Sequence, residues 1–162
     1  MLRPATTADA TALAGIYNHY VAHTIITFEE EPVSAPDMAH RITDTLADGL
    51  PWLVWVEADG RILGYAFASK WKSRCSYRYS AEATVYLEKS ATGRGLGTKL
   101  YSAIIAELRE LKRHAVIGGV SLPNAASIAL HEKFGFRKVA HFKETGFKFG
   151  QWIDVGYWEL IL

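Results

Sequence analysis

The chain has 162 residues, 49% of them hydrophobic and 22% charged, with 18 basic against 17 acidic residues and a formal net charge of +1. That length suits one domain with a substantial core, and the balanced charge argues against strong electrostatic attraction to nucleic acid or to a membrane surface. No apolar run approaches a bilayer span, the opening MLRPATTADA lacks the apolar heart of a signal peptide, and the lone Cys75 has no internal partner, so a reducing cytoplasm is expected.

Residues 1–4 read as a short strand. A helix should follow, capped by Thr6 or Thr7, with Leu13, Ile16, Tyr17 and Tyr20 on one stripe. An apolar patch at 25–28 runs into Glu29, Glu30 and Glu31. A second helix begins near 34–36, carries Met38, Ile42 and Leu46, and stops at Gly49. Residues 51–57 and 61–69 alternate like strands around Ala58-Asp59-Gly60, a hairpin signal. The basic and aromatic stretch 70–79, KWKSRCSYRY, reads as a loop.

A strand (80–87), a glycine-rich turn and a helix ending near Leu111 then follow without spare residues. Residues 114–122 return as a strand. A short helix spans 124–134, with Asn124 as its N-cap and Gly135 as its left-handed stop. Strands at 136–142 and 152–160 close the chain around a turn that holds Gly146 and Gly150. There is no internal repeat, linker or low-complexity tract. The whole is a mixed α/β domain covering residues 1–162.

The glycine turn, Gly93-Arg94-Gly95-Leu96-Gly97-Thr98, opens a helix, where free N–H groups and the positive dipole end attract a phosphate or pyrophosphate. Its spacing is G-x-G-x-G, unlike the dinucleotide fingerprint, and no acidic residue ends the next strand. It also lacks the Gly-Lys-Ser/Thr of a triphosphate loop. An unliganded turn is the plain alternative.

A strand followed by R/Q-x-x-G-x-G/A resembles the acetyl-CoA pyrophosphate loop of the GCN5-related N-acetyltransferase superfamily; here the stretch is Thr92-Gly93-Arg94-Gly95-Leu96-Gly97. Asn124 with the following ALHEKFGF resembles the superfamily's next helix. LRPAT, NHYV, PWLV, TVYL, GLGTKLY, LPN, LHE and GFKFGQWIDVGYW extend the resemblance to the phosphinothricin and methionine-sulfoximine N-acetyltransferases, from Leu2 to about Glu159. Two positions depart from the superfamily pattern. Thr92 stands where Gln or Arg is usual, and His131 stands where a tyrosine often protonates the leaving thiolate.

The resemblance implies a mostly antiparallel twisted sheet flanked by helices, acetyl-CoA as cosubstrate, no metal and a homodimer. It implies Glu82 as catalytic base and His131 as acid, a role histidine can fill near neutral pH. Backbone groups of Val85, Tyr86 and Leu87 would meet the pantetheine and thioester, Gly93 to Thr98 the pyrophosphate, and Asn124 the cofactor as well as its helix. Lys72 or Arg74, with Ser73, would hold an amino-acid carboxylate, Arg through two parallel hydrogen bonds. Ala83, Thr84, Phe28 and Glu30 would shape the acceptor side.

The residues themselves agree on Glu82. Ser80, Glu82, Thr84 and Tyr86 share one strand face, opposite Ala81, Ala83, Val85 and Leu87. A glutamate of ordinary pKa, about 4.3, is a weak base toward an ammonium, so burial or a water relay should assist it. A solvated strand glutamate is the competing reading. His19 and His23 have i,i+4 spacing without a third ligand, and Cys75 lacks any nucleophile signature. The expected enzyme acetylates the α-amine of a small amino-acid-like acceptor. Acetylation of another amine or a protein N-terminus, or an inactive acyl-CoA sensor, are the alternatives.

Overall fold

The computed structural model describes residues 1–162. Seven strands and four helices follow one another in the order β1 (Leu2–Pro4), α1 (Ala10–His23), α2 (Ala35–Ala47), β2 (Trp52–Val56), β3 (Ile62–Lys70), β4 (Ser80–Leu87), α3 (Leu96–Glu110), β5 (Ala115–Leu122), α4 (Ala125–Lys133), β6 (Arg137–Lys148) and β7 (Gln151–Ile161). They form one sheet in the order β1-β2-β3-β4-β5-β7-β6. Every neighbouring pair is antiparallel except β4 and β5. The expected mixed α/β fold with a mostly antiparallel sheet is what forms.

Alternation along the strands feeds two cores, one on each face. On one side α1 and α2 bury Leu13, Tyr17, Val21, Met38 and Ile42 against Val54, Tyr65 and Tyr86. On the other, Leu100, Tyr101, Ile104 and Leu108 of α3 pack on Ala83, Val116, Val120 and Trp158.

The helix starts have local causes. The Thr6 amide donates to the Asp9 carboxylate at 2.8 Å, and the Arg3 guanidinium grips the same carboxylate at 2.7 and 2.8 Å. Ser34 accepts from the Asp37 amide at the start of α2, and Asn124 accepts from the Ser127 amide at the start of α4. The start of α3 has no side-chain cap.

Two expectations need correction. Leu46 is exposed rather than core: at 3.6 residues per turn it sits roughly 80° around the helix from Met38 and leaves the apolar stripe. Gly146 lies inside β6, which runs six residues past Phe142 to Lys148, and the turn is instead made by Phe149 and Gly150, both at positive φ. The Phe28 ring explains the glycine: a Cβ at position 146 would come within 2.3 Å of it.

Candidate active site

Strands β4 and β5 pair over three residues only, Ser80, Ala81 and Glu82 against Ala115, Val116 and Ile117. Both strands continue, to Leu87 and Leu122, but apart. The splay leaves an open edge on β4, whose backbone groups need partners from elsewhere. Tyr20 of α1 supplies one set: its hydroxyl donates to the Leu87 carbonyl at 2.6 Å and accepts from the Leu87 N–H at 3.3 Å. Strand alternation turns the N–H and C=O of Val85 toward the same gap.

Across the gap β5 carries Gly118 and Gly119, and strand glycines mark close approach. A Cβ at Gly118 would sit 2.0 Å from Nε2 of His131. One at Gly119 would sit 3.1 Å from Oε1 of Glu82 and 3.2 Å from the Tyr157 ring. The two glycines thus admit His131 from the α4 face and Glu82 from the opposite face.

Glu82 is half-buried at the root of the splay. Burial raises its carboxyl above the ordinary range, with the Gly119 amide and the Lys72 ammonium pulling in the other direction. The carboxylate is therefore a stronger base than a solvated one. His131 is 5% exposed and loses basicity through burial, opposed by the Ser127 carbonyl. That carbonyl lies 2.7 Å from Nδ1, which must carry the proton because a carbonyl only accepts. The neutral ring then presents Nε2 to the slot as a lone pair.

The slot between β4 and β5 is lined by Val85, Tyr86, Tyr101, Ser121, Asn124 and His131, among others. Three of its buried polar atoms have no protein partner: the Tyr101 hydroxyl, the Ser121 hydroxyl and Nε2 of His131. Beyond it the glycine turn leads into α3. Gly93 and Gly95 both hold φ of +75°, which glycine adopts freely, and a Cβ on either would meet nothing within 4 Å. With no side-chain cap at Gly95, the first amides of α3 have no side-chain partner. Leu96 is buried beside Leu63 and Ala91, while exposed Arg94 pairs with Glu57 at 2.8 Å. Thr98 meets the Lys133 ammonium at 3.5 Å.

The expected acceptor residues divide. Thr84 and Tyr86 line a cleft of about 330 Å³ on the helix α1–α2 side, with Tyr17, Arg41 and Phe67. Lys72, Ser73 and Arg74 share another cleft on the exposed loop after β3, and only Lys72 also borders the hollow of about 390 Å³ lined by Trp71, Phe142 and Tyr157. Of the two cations, Lys72 alone bears on Glu82. Phe28 lies over Gly146, and exposed Glu30 sits near the Lys148 ammonium, which donates to the Thr27 carbonyl at 2.8 Å. Arg41 is held by Glu29 through two hydrogen bonds of 2.8 and 3.1 Å.

Tyr20, Tyr101, Gly119 and Tyr157 were not singled out in the sequence as site residues. Tyr20 and Tyr101 sit within ordinary helical stripes. The pair Gly118-Gly119 inside an apolar strand was a usable signal.

A splayed parallel pair, an uncapped glycine-led helix and a half-buried glutamate at the root of the splay are the parts an acyltransferase with an extended nucleotide-bearing cosubstrate needs. The chain belongs to the acetyltransferase (GNAT) domain family, whose sequence profile matches residues 2–156. It is an acetyl-CoA-dependent N-acetyltransferase. It is 38% identical to a phosphinothricin N-acetyltransferase of Streptomyces coelicolor, over 98% of this chain and 94% of that one. Identity is 37% to an L-methionine sulfoximine/L-methionine sulfone acetyltransferase of Salmonella typhimurium, over 99% and 94%. The crystal structure of a phosphinothricin acetyltransferase from Sinorhizobium meliloti in complex with acetyl-CoA superposes with a TM-score of 0.97 at 34% identity, covering 100% of this chain and 88% of that one.

Proposed function

We propose that this enzyme transfers the acetyl group of acetyl-CoA directly to the α-amine of a small amino-acid-like acceptor, of the phosphinothricin, methionine sulfoximine or methionine sulfone kind. The observation that carries the reading is Glu82: a carboxylate of raised pKa at the root of the splay, within the field of the Lys72 ammonium. The acceptor's ammonium and carboxylate match that pair in sign. The names of the relatives support the same acceptor class.

Acetyl-CoA supplies an activated acyl group; the chain's residues hold it and receive the protons. Free amides of Gly95, Leu96, Gly97 and Thr98 at the α3 N-terminus take the pyrophosphate, aided by the turn at Gly93 and Arg94. The backbone groups of Val85 hold the pantetheine arm along the open β4 edge, beside Tyr86 and as far as Leu87, whose own N–H and C=O are met by the Tyr20 hydroxyl. Asn124 borders the same slot. Glu82 accepts the ammonium proton, directly or through one water, and Ala83 and Thr84 shape the space beside it. An amide N–H of the open edge hydrogen-bonds the thioester carbonyl as charge grows on its oxygen. Binding both reactants in register supplies much of the acceleration.

His131 takes part as an acceptor rather than as the acid implied by resemblance, because burial, the larger effect, favours the neutral ring, and the Ser127 carbonyl fixes its one proton on Nδ1. Lys72 holds the acceptor carboxylate, with Ser73 and Arg74 on the same loop. Phe28 and Glu30 close the outer side. Exposed Val139, Phe142, Phe147 and Trp152 on β6 and β7 support a homodimer, and the exposed, unpaired Cys75 supports a reducing cytoplasm.

Thiol release from acetyl-CoA, followed with the proteinogenic amino acids, methionine sulfoximine, methionine sulfone and phosphinothricin, tests the reading. Release should be fastest with one of the three analogues or a close amino acid. Release with peptide N-termini alone, or with no amine at all, would overturn it.

A further inference from the structure

Of the buried polar side-chain atoms without a protein partner, three line the slot between β4 and β5. They differ in what they can offer a ligand. His131 offers only a lone pair, since its single N–H is committed to the Ser127 carbonyl. Ser121 lies two residues beyond Gly119 on β5, about 7 Å farther from Glu82 at the ordinary rise of a strand. Tyr101 comes from α3 on the other face, is 0% exposed, and stacks edge-on to His131 with ring centroids 5.2 Å apart.

Although Tyr101 and Glu82 belong to opposite faces of the sheet, the Glu82 charge acts on the phenol through the splay. Burial and that charge both push Tyr101 far above the tyrosine range, so it stays protonated and is a hydrogen-bond donor with nothing in the protein to receive it. A ring packed among Leu100, Ile104 and Phe136 would be better served by phenylalanine unless a ligand uses the hydroxyl.

We propose that the Tyr101 hydroxyl donates a hydrogen bond to the coenzyme A sulfur as it departs. The inference rests on the proposed function's placing of the pantetheine arm in the slot. As the carbon–sulfur bond breaks, its electron pair stays on sulfur, and Tyr101 stabilises that charge while keeping its own proton. The acceptor nitrogen forms the new bond to the acetyl carbon and gives up two protons, one to Glu82, which returns it to solvent, and one to solvent directly, and the sulfur takes one proton back from solvent. His131, with Nε2 beside the slot, accepts the hydrogen bond of the finished thiol. The pair Tyr101–His131 thus reads charged sulfur and neutral thiol in turn.

Binding measurements separate this role from a structural one. Calorimetric titration of coenzyme A and desulfo-coenzyme A into the wild-type chain at pH 9 should show about tenfold tighter binding of the thiol form, the usual scale for a hydrogen bond to a charged group. Tyr101→Phe should cut that preference to about threefold or less, the share left to the contact of the thiol with His131, leave desulfo-coenzyme A affinity within twofold and leave the melting temperature of the free protein at or above wild type. Ser121→Ala should retain the preference. Equal binding of the two coenzymes by wild type, or a preference that stays near tenfold in Tyr101→Phe or disappears in Ser121→Ala, overturns the Tyr101 assignment alone. A marked loss of melting temperature in Tyr101→Phe also overturns it, because the hydroxyl would then have a structural partner. Failure of wild type to bind either coenzyme overturns the reading beneath it as well.

Discussion

Replacing Glu82 with Gln removes the charge while keeping the shape, and the amide oxygen of Gln can still accept from the Gly119 N–H. If Glu82 takes the acceptor's proton, kcat/KM should fall by about 10²–10⁴, the ordinary contribution of a positioned general base. Acetyl-CoA affinity should hold within about threefold, because the glycine turn and the β4 edge are untouched. Stability gives an independent reading. Burial raises the native pKa of Glu82, so the native state holds the proton more tightly than the unfolded chain. The group's contribution is fully present below the ordinary carboxylate range and is lost as pH rises through the raised pKa. Gln cannot ionise, so Glu82→Gln should melt higher than wild type at pH 8. The gain should vanish near pH 4. Each unit by which the pKa is raised corresponds to about 1.4 kcal/mol, or roughly 3–5 °C for a domain of this size. Turnover within about threefold of wild type and an unchanged pH profile would remove Glu82 as base, and a lower melting temperature at pH 8 would refute the burial argument.

Lys72 lowers the Glu82 pKa, so Lys72→Ala should move the acid limb of the kcat/KM profile to higher pH and raise KM for the acceptor; a limb that stays or moves down refutes the pairing. Gly118→Ala places a Cβ 2.0 Å from Nε2 of His131 and forces the ring off the Ser127 carbonyl, costing about 1–3 kcal/mol in urea unfolding. Gly95→Ala should cost about 1–2 kcal/mol through its left-handed backbone with no clash at all, whereas Gly97→Ala meets Leu87 only at 3.5 Å and should raise the melting temperature of the free protein. Asp9 is held below the ordinary carboxylate range chiefly by the Arg3 hydrogen bonds, so that stability is present above the ordinary value and is lost as pH falls through the depressed one. Arg3→Met should therefore destabilise at pH 7 and make little difference near pH 2, as acid titration of the unfolding midpoint would report.

Much of the fold was legible because its signals are local. Ser34, Asn124 and Gly135 act at helix ends within a few residues of their partners, and the Ala58-Asp59-Gly60 hairpin and the glycine turn carry their own backbone chemistry. Gly146 misled for the opposite reason. A glycine after Glu144 and Thr145 looks like a turn, but its cause is the Phe28 ring, brought from the segment between α1 and α2. Leu46 misled because a stripe continued at i+4 steps drifts around the helix.

By itself the sequence determined the strand–turn–helix of residues 80–111, the glycines that bare the α3 amides, and the placing of Glu82 on the opposite strand face from Val85 and Leu87. These follow from alternation and from backbone freedom, which are properties of neighbouring residues. Only the tertiary structure decided that β4 and β5 part after Glu82, that Tyr20 closes the exposed edge at Leu87, and that Lys72 rather than Arg74 bears on the carboxylate. It also decided that His131 offers a lone pair while Tyr101 holds the free proton donor. Burial and hydrogen-bond partners set which group can give or take a proton, and residues distant along the chain supply both.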